Sequence, residues 1–192
     1  TPDYSSAASD VYKRQLKAIP MKADTGPIGG DLSHEFIIIA DTGESEVFVE
    51  KELLNFEGSF VNINYDDDLQ EEVNRFTSFY AATDEMHDTT NFDPSDKNLI
   101  KTRGIEVGHI FHFGQKYSLP MRANITDKEG KNISVFMGSY GVGLSRLVGA
   151  VIEANHDQKG IIWPKEITPW DYNLINLKKG DYDCDKVSLD LY

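Results

Sequence analysis

A chain of 192 residues is long enough to bury a core of its own, and 40 % apolar with 27 % charged residues is an ordinary globular balance. No apolar run approaches the ~18 residues that a membrane span needs, and a net charge of −13 argues against a generic nucleic-acid coat, which requires basic stripes. Cys184 is the single cysteine, which excludes intrachain disulfides and cysteine-based zinc sites.

Residues 1–15 show no periodicity and are expected to form a disordered or artefactual end. The pattern begins near Leu16. Residues 36–40 (FIIIA) and 47–49 (VFV) read as strands separated by a turn at Asp41-Thr42-Gly43, which predicts an antiparallel pair. Residues 50–68 read as loop-rich. Leu69, Val73, Phe76 and Tyr80 recur at helical spacing and predict a helix over 69–82, followed by a polar loop over 84–103. Residues 105–113 (IEVGHIFHF) alternate. Strict alternation places Ile105, Val107, His109, Phe111 and Phe113 on one face and Glu106, Gly108, Ile110 and His112 on the other. A hairpin is expected over 122–137, with its turn at Asp127-Lys128-Glu129-Gly130. A helix follows the next glycines, with Leu144, Leu147, Val148, Val151 and Ile152 as its buried stripe. Residues 161–163 read as a short strand stopped by Pro164, and 173–177 (NLINL) as the first strand of a further unit. The acidic blocks, Asp66-Asp67-Asp68 with Glu71-Glu72 and Asp181 to Asp185, read as solvated surface. Consecutive antiparallel strands with helices set apart predict an α+β class rather than a doubly wound sheet.

Three stretches carry candidate chemistry. In Gly138-Ser139-Tyr140-Gly141-Val142-Gly143 a strand end meets a helix N-terminus. The glycines let a ligand approach the backbone, and free N–H groups with the helix dipole favour an anion. Arg146 opposes that dipole, so it needs a carboxylate or a ligand phosphate beside it. The stretch is neither a P-loop nor the dinucleotide fingerprint. In residues 23–36 (ADTGPIGGDLSHEF), Ser33, His34 and Glu35 stand at the mouth of a strand. A His–Glu pair there can bind an amine, a metal or a polar substrate. Ser33 and His34 are adjacent, so they point to opposite faces and cannot pair as nucleophile and base. In residues 104–118 (GIEVGHIFHFGQKYS), His109 and His112 have opposite parity and cannot jointly hold a metal. His109 on an apolar face also suits a hydrogen-bonded core histidine, and Gly108 leaves room beside the strand. Residues 80–88 (YAATDEMHD) carry no chemistry readable from spacing.

Taken together, LKAIPMKADTGPIGGDLSHEF, RGIEVGHIFHFGQKYS, MGSYGVGLSRLVGAVIEANHDQKGIIWP and ITPWDYNLINL resemble a bacterial prolyl-tRNA synthetase, a class II aminoacyl-tRNA synthetase, over most of residues 16–177. The resemblance implies an antiparallel sheet flanked by helices, as the C-terminal part of a class II catalytic domain over 16–168. Within it, 50–103 stands as a short replacement of the editing insertion that many bacterial members carry. Residues 169–192 are then the start of an α/β anticodon-binding domain. MGSYGVGLSRL is similar to class II motif 3, which implies ATP contacts by Arg146, Gly141 and Gly143, with Arg146 catalytic. His109, Gly138, Ser139 and His34 are implied on the proline side, with no protein metal ligand named. The implied reaction is a two-step ligation with ATP, Mg²⁺, proline and tRNA(Pro), in the cytoplasm, away from membranes, by an enzyme that is a homodimer at full length. Motif 1 and the motif 2 arginine have no counterpart here, so the chain is expected to be an internal piece of a longer enzyme. The alternatives are a class II synthetase for another small amino acid and a non-catalytic or regulatory synthetase-like binding module.

Overall fold

The structure is a computed structural model that describes residues 17–55, 70–90, 97–165, 167–168 and 170–192. The expectations for 1–15, for Leu69, for most of 50–68 and for Asp66 to Asp68 lie outside those residues. Within them the chain is mixed α and β with a sheet-rich core.

Six strands form the main sheet: β1 (Ala18–Lys22), β2 (Leu32–Ile39), β3 (Ser45–Glu50), β4 (Ala81–Thr83), β5 (Leu99–Gly114) and, further along the chain, β8 (Met137–Val142). The short strands β6 (Asn124–Thr126) and β7 (Asn132–Ser134) pair with each other. The helices are α1 (Lys51–Asn55), α2 (Gln70–Thr77), the single turn α3 (Ser118–Met121), α4 (Leu144–Ala154) and α5 (Tyr182–Leu191). A two-residue pair, β9 (His156–Asp157) with β10 (Gly160–Ile161), follows α4.

The 16-residue β5 is the spine of the sheet. Its first part pairs antiparallel with β3, from Leu99↔Glu50 to Gly104↔Ser45. Its second part pairs antiparallel with β2, from Gly104↔Ile39 to His112↔Leu32. β1 pairs with β2 and β4 pairs with β3, and a single parallel contact, Lys22↔Ala82, joins β1 to β4. The pairings therefore close on themselves through β2, β1, β4, β3 and β5. The sheet is antiparallel apart from that one contact.

This arrangement corrects the expected pairing of 36–40 with 47–49. β2 and β3 run in the same direction, each antiparallel to β5, and do not pair with each other. The link between them steps past Gly104, which is paired to both Ile39 and Ser45. Gly43 is needed there, because a Cβ on it would lie 2.2 Å from the Gly104 carbonyl carbon. Arg103 holds the step in place: its Nε donates to the Gly43 carbonyl at 2.6 Å and its Nη2 to the Glu44 carbonyl at 3.2 Å.

Two apolar clusters form because Ile37 and Ile38 point to opposite faces of β2. Ile37 joins Ile19, Met21, Val47, Val49 and Leu53, while Ile38 joins Ala40, Ile105, Val107, Leu147, Ala150 and Val151 beneath α4. Each fully buried branched side chain contributes about 1.5–3 kcal/mol of transfer free energy. α4 buries Leu147, Ala150 and Val151, but Leu144 and Val148 are exposed. Only one side of the helix meets β2 and β5, and 144 and 148, one turn apart, lie outside that contact.

The predicted helix over 69–82 is shorter, ending at Thr77, and 81–83 forms β4 instead. Residues 99–103, expected as loop, begin β5, because the unpaired length of β3 is available to them. The 122–137 hairpin forms as expected: the Asp127 carboxylate accepts from Glu129 N at 3.0 Å and Lys131 N at 2.7 Å, closing the turn. Only the start of 161–163 is strand, as β10. NLINL is not a strand: Leu174, Ile175 and Leu177 are exposed, with no described neighbour to supply a ladder. Asp181, in an acidic block expected as solvated surface, caps α5 by accepting from Cys184 N at 3.2 Å. Lys178 beside it lowers its carboxyl below the ordinary value, with help from the Cys184 amide.

YAATDEMHD also acquires a role in the fold. β4 carries AAT into the sheet. His87 stacks on Phe48 with ring centroids 3.6 Å apart. The Tyr80 hydroxyl lies 2.8 Å from His87 Nδ1 and accepts from Asp88 N at 2.8 Å.

Candidate functional site

The candidate residues gather where β2, β5, β8 and α4 meet. Register does most of the positioning. Glu35 is directly opposite His109, Ser33 is opposite Phe111, and on the other flank of β5, Gly141 is opposite His109 and Ser139 opposite Phe111. Ser33 and Glu35 share one face of β2, so both reach the face from which His109 projects.

A bulge then changes the alternation. Phe36 pairs with Gly108 but Ile37 pairs with Glu106, so β5 carries one extra residue at Val107. The consequence is that Glu106 and His109, assigned opposite faces by strict alternation, meet: Glu106 Oε1 lies 3.4 Å from His109 Nδ1. Glu35 Oε1 lies 3.9 Å from the same nitrogen. The other ring nitrogen, Nε2, lies 2.5 Å from the hydroxyl of Ser33, which is 2 % exposed. Phe111 stacks on the imidazole at 3.9 Å.

Arg146 faces this group from the first turn of α4. Its Nη1 donates to the Glu106 carbonyl at 3.0 Å and to Glu106 Oε2 at 3.1 Å, and lies 3.5 Å from Glu44 Oε1. A cation that opposes its own helix dipole is thus offset by two carboxylates. The N-cap of α4 is Gly143, whose side-chain position is empty by nature. Its N–H donates to the Val107 carbonyl at 2.9 Å, which fixes the helix start against the bulge. A Cβ on Gly138 would lie 2.8 Å from the Phe111 carbonyl, and one on Gly143 would lie 3.3 Å from Arg146 Cβ. Gly141, by contrast, borders open space.

The carboxylates influence one another. Burial pushes the Glu35 carboxyl up to about 7, Glu106, Glu85 and Glu44 add to the rise, and Arg146 opposes it. Glu35, Glu106 and His109 also place one ligand atom each within 4.8 Å of one another. Two carboxylates fit a hard divalent cation such as Mg²⁺, which takes one or two protein carboxylates together with substrate phosphates. The sequence reading raised a metal as one possibility for a His–Glu pair that includes Glu35 but assigned no metal ligand. His34 does not join the group: alternation turns it to the other face of β2, and burial, then Lys22, then His109 lower its pKa below the ordinary value.

Sequence reasoning thus named His109, Arg146 and the β8 glycines, which come together here; it weighed Ser33 and Glu35 at the strand mouth without joining them to His109, and passed over Glu44 and Glu106. The shared parity of Ser33 and Glu35 was readable in the spacing. The bulge that delivers Glu106 was not.

Over most of its length the chain is similar to curated bacterial proteins named proline–tRNA ligase. It is 59 % identical to that of Rhodospirillum rubrum over 177 residues, which is 92 % of this chain and 40 % of the relative. It is 56 % identical to that of Caulobacter sp. (strain K31) over 172 residues, 89 % of this chain and 39 % of the relative. It is 53 % identical to that of Phenylobacterium zucineum over 187 residues, 95 % of this chain and 42 % of the relative. No family model matches the chain. The chain thus resembles one stretch of the bacterial proline–tRNA ligases and spans about 40 % of the length of the curated relatives it matches.

Proposed function

We propose that this chain is the motif 3 side of the activation site of a proline–tRNA ligase. In the proposed reaction a carboxylate oxygen of proline bonds to the α-phosphorus of ATP, the bond from that phosphorus to the bridging oxygen breaks, and pyrophosphate leaves. The terminal ribose hydroxyl of tRNA(Pro) then attacks the prolyl carbonyl, and AMP leaves. Neither step needs a protein nucleophile, so the protein's part is positioning and charge stabilisation.

In this reading Arg146 exchanges part of its contact with Glu106 for the nucleotide and stabilises its negative charge. Gly141 and Gly143 keep β8 and the start of α4 clear for ATP. His109, Gly138 and Ser139 border proline, and His34, turned away in this fold, is the weakest member of that set. Glu35 and Glu106 would hold Mg²⁺, which when bound screens the phosphates. Residues 16–168 belong to a class II catalytic domain, and 169–192 to the start of the anticodon-binding domain. The complete enzyme is a cytoplasmic homodimer.

The observation that carries this reading is the first-turn arginine of α4, aimed at a carboxylate group on β5 beside the glycine-bordered opening. It is supported by relatives 53–59 % identical over most of the chain. The test is ATP–pyrophosphate exchange by the full-length enzyme. Exchange should depend on proline, and Arg146→Ala should reduce it by about 10²–10³-fold, the usual loss for a preorganised charge donor. Exchange with another amino acid in place of proline, or an unaffected Arg146→Ala enzyme, refutes the reading.

A further inference from the structure

Both nitrogens of His109 are already engaged. Nδ1 faces Glu106 Oε1 at 3.4 Å and Glu35 Oε1 at 3.9 Å. The nearer of the two, the Glu106 carboxylate, accepts, so a neutral ring facing it carries its proton on Nδ1. Nε2 is then the acceptor, and the Ser33 hydroxyl donates to it across 2.5 Å. Phe111 covers one face of the ring at 3.9 Å. Open space lies beside Gly141, the residue directly opposite His109 on β8.

We infer that Ser33 is a positioning residue for His109: its hydroxyl locks the imidazole in the Nδ1–H tautomer, so that the ring plane rather than a ring nitrogen meets the amino-acid substrate. The inference rests on the proposed activation of proline and deepens it. A saturated five-membered ring suits such a surface, because it makes apolar contact with an aromatic plane and asks for no hydrogen bond along its methylenes. The serine, histidine and carboxylates also have the order of a nucleophile, base and orienting acid. Ser33 is nevertheless 2 % exposed, and a nucleophile has to be reached by a carbonyl carbon.

The test uses the full-length enzyme with selectively ¹⁵N-labelled histidine, with Ser33→Ala and Ser33→Thr beside the wild type. The wild type should show His109 as the Nδ1–H tautomer, and Ser33→Ala a mixture of the two tautomers. In pyrophosphate exchange, Ser33→Ala should raise KM for proline about fivefold, the effect of one lost neutral hydrogen bond, with kcat within about twofold. Ser33→Thr, which keeps the hydroxyl, should restore KM. An Nε2–H tautomer in the wild type overturns the assignment without need of any variant. So does a fall in kcat at unchanged KM, or a prolyl ester on Ser33 detected by mass spectrometry. If the wild type shows no proline-dependent exchange, the proposed function fails, and the tautomer measurement still decides whether Ser33 orders His109.

Discussion

Glu35→Gln tests the electrostatics of the site directly. Glu35 begins from an ordinary value of 4.5 and is pushed up to about 7, first by burial and then by Glu106, Glu85 and Glu44. That gap corresponds to about 3 kcal/mol between the two protonation states. The side chain is 20 % exposed, and solvent screening reduces the figure to about 2 kcal/mol. The sign follows from linkage. Below about pH 4.5 the carboxyl is protonated in both folded and unfolded chains and costs nothing. As pH rises toward 7 the unfolded chain ionises first, so stability is lost through that window. Glutamine has nearly the same shape and no charge, so it escapes the loss. Melting temperatures of the full-length wild-type and Glu35→Gln enzymes should be compared from pH 5 to pH 8 at constant ionic strength. The variant's advantage should grow with pH by about 4 °C, at roughly 2 °C per kcal/mol for a domain of this size. A difference that stays flat across the window refutes the crowding of carboxylates around Glu35.

Four further outcomes are expected. Arg146→Ala removes the cation that opposes the rise in Glu35, so when Glu35 and Glu35→Gln are compared in that background the advantage should open at the same pH but level off at a higher one and reach a larger value. Gly43→Ala places a methyl group 2.2 Å from the Gly104 carbonyl carbon and should cost about 3 kcal/mol or more, read as a lower urea midpoint. Leu147→Ala empties the contact between α4 and the sheet and should cost about 2–4 kcal/mol. Tyr80→Phe deletes the hydroxyl that accepts from Asp88 N and meets His87, for a loss of about 1–2 kcal/mol in thermal unfolding.

What could be read from sequence was local. The strand character of residues 105–113, the DKEG turn between β6 and β7, and the start of α4 after its glycines are each settled by neighbours a few residues away. Partner choice is not local. The short link after β2 is compatible with a hairpin. What decides otherwise is a strand some 60 positions further on, long enough to take both β2 and β3 end to end, with glycines at 43 and 104 to let the chain pass. The same holds at the site. Arg146 could be recognised as a cation in an unfavourable place, but its carboxylate partners come from β5 and from the turn before β3. One extra residue at Val107 moves Glu106 beside His109, and no alternating pattern records it. NLINL has the composition of a strand. A strand is made by its neighbours, and among the described residues it has none.

The reliance of the sheet on β5 also sets an order of events during synthesis. Ser33 and His109 are separated by 76 positions, so at ribosomal speed the second follows the first by roughly 4–15 s. In that interval β2, with its FIII run, can pair only with β1, already made and in register from Ala18↔Ile38 to Lys22↔His34. Its other edge stays open, and an open apolar edge is what other nascent chains join. β3 and β4 can pair, but until β5 arrives their tie to the β1–β2 pair is the single Lys22↔Ala82 contact. The carboxylate group, the histidine and the arginine therefore assemble last, in one cooperative closure, and a translational pause between residues 40 and 104 prolongs the state most prone to aggregate.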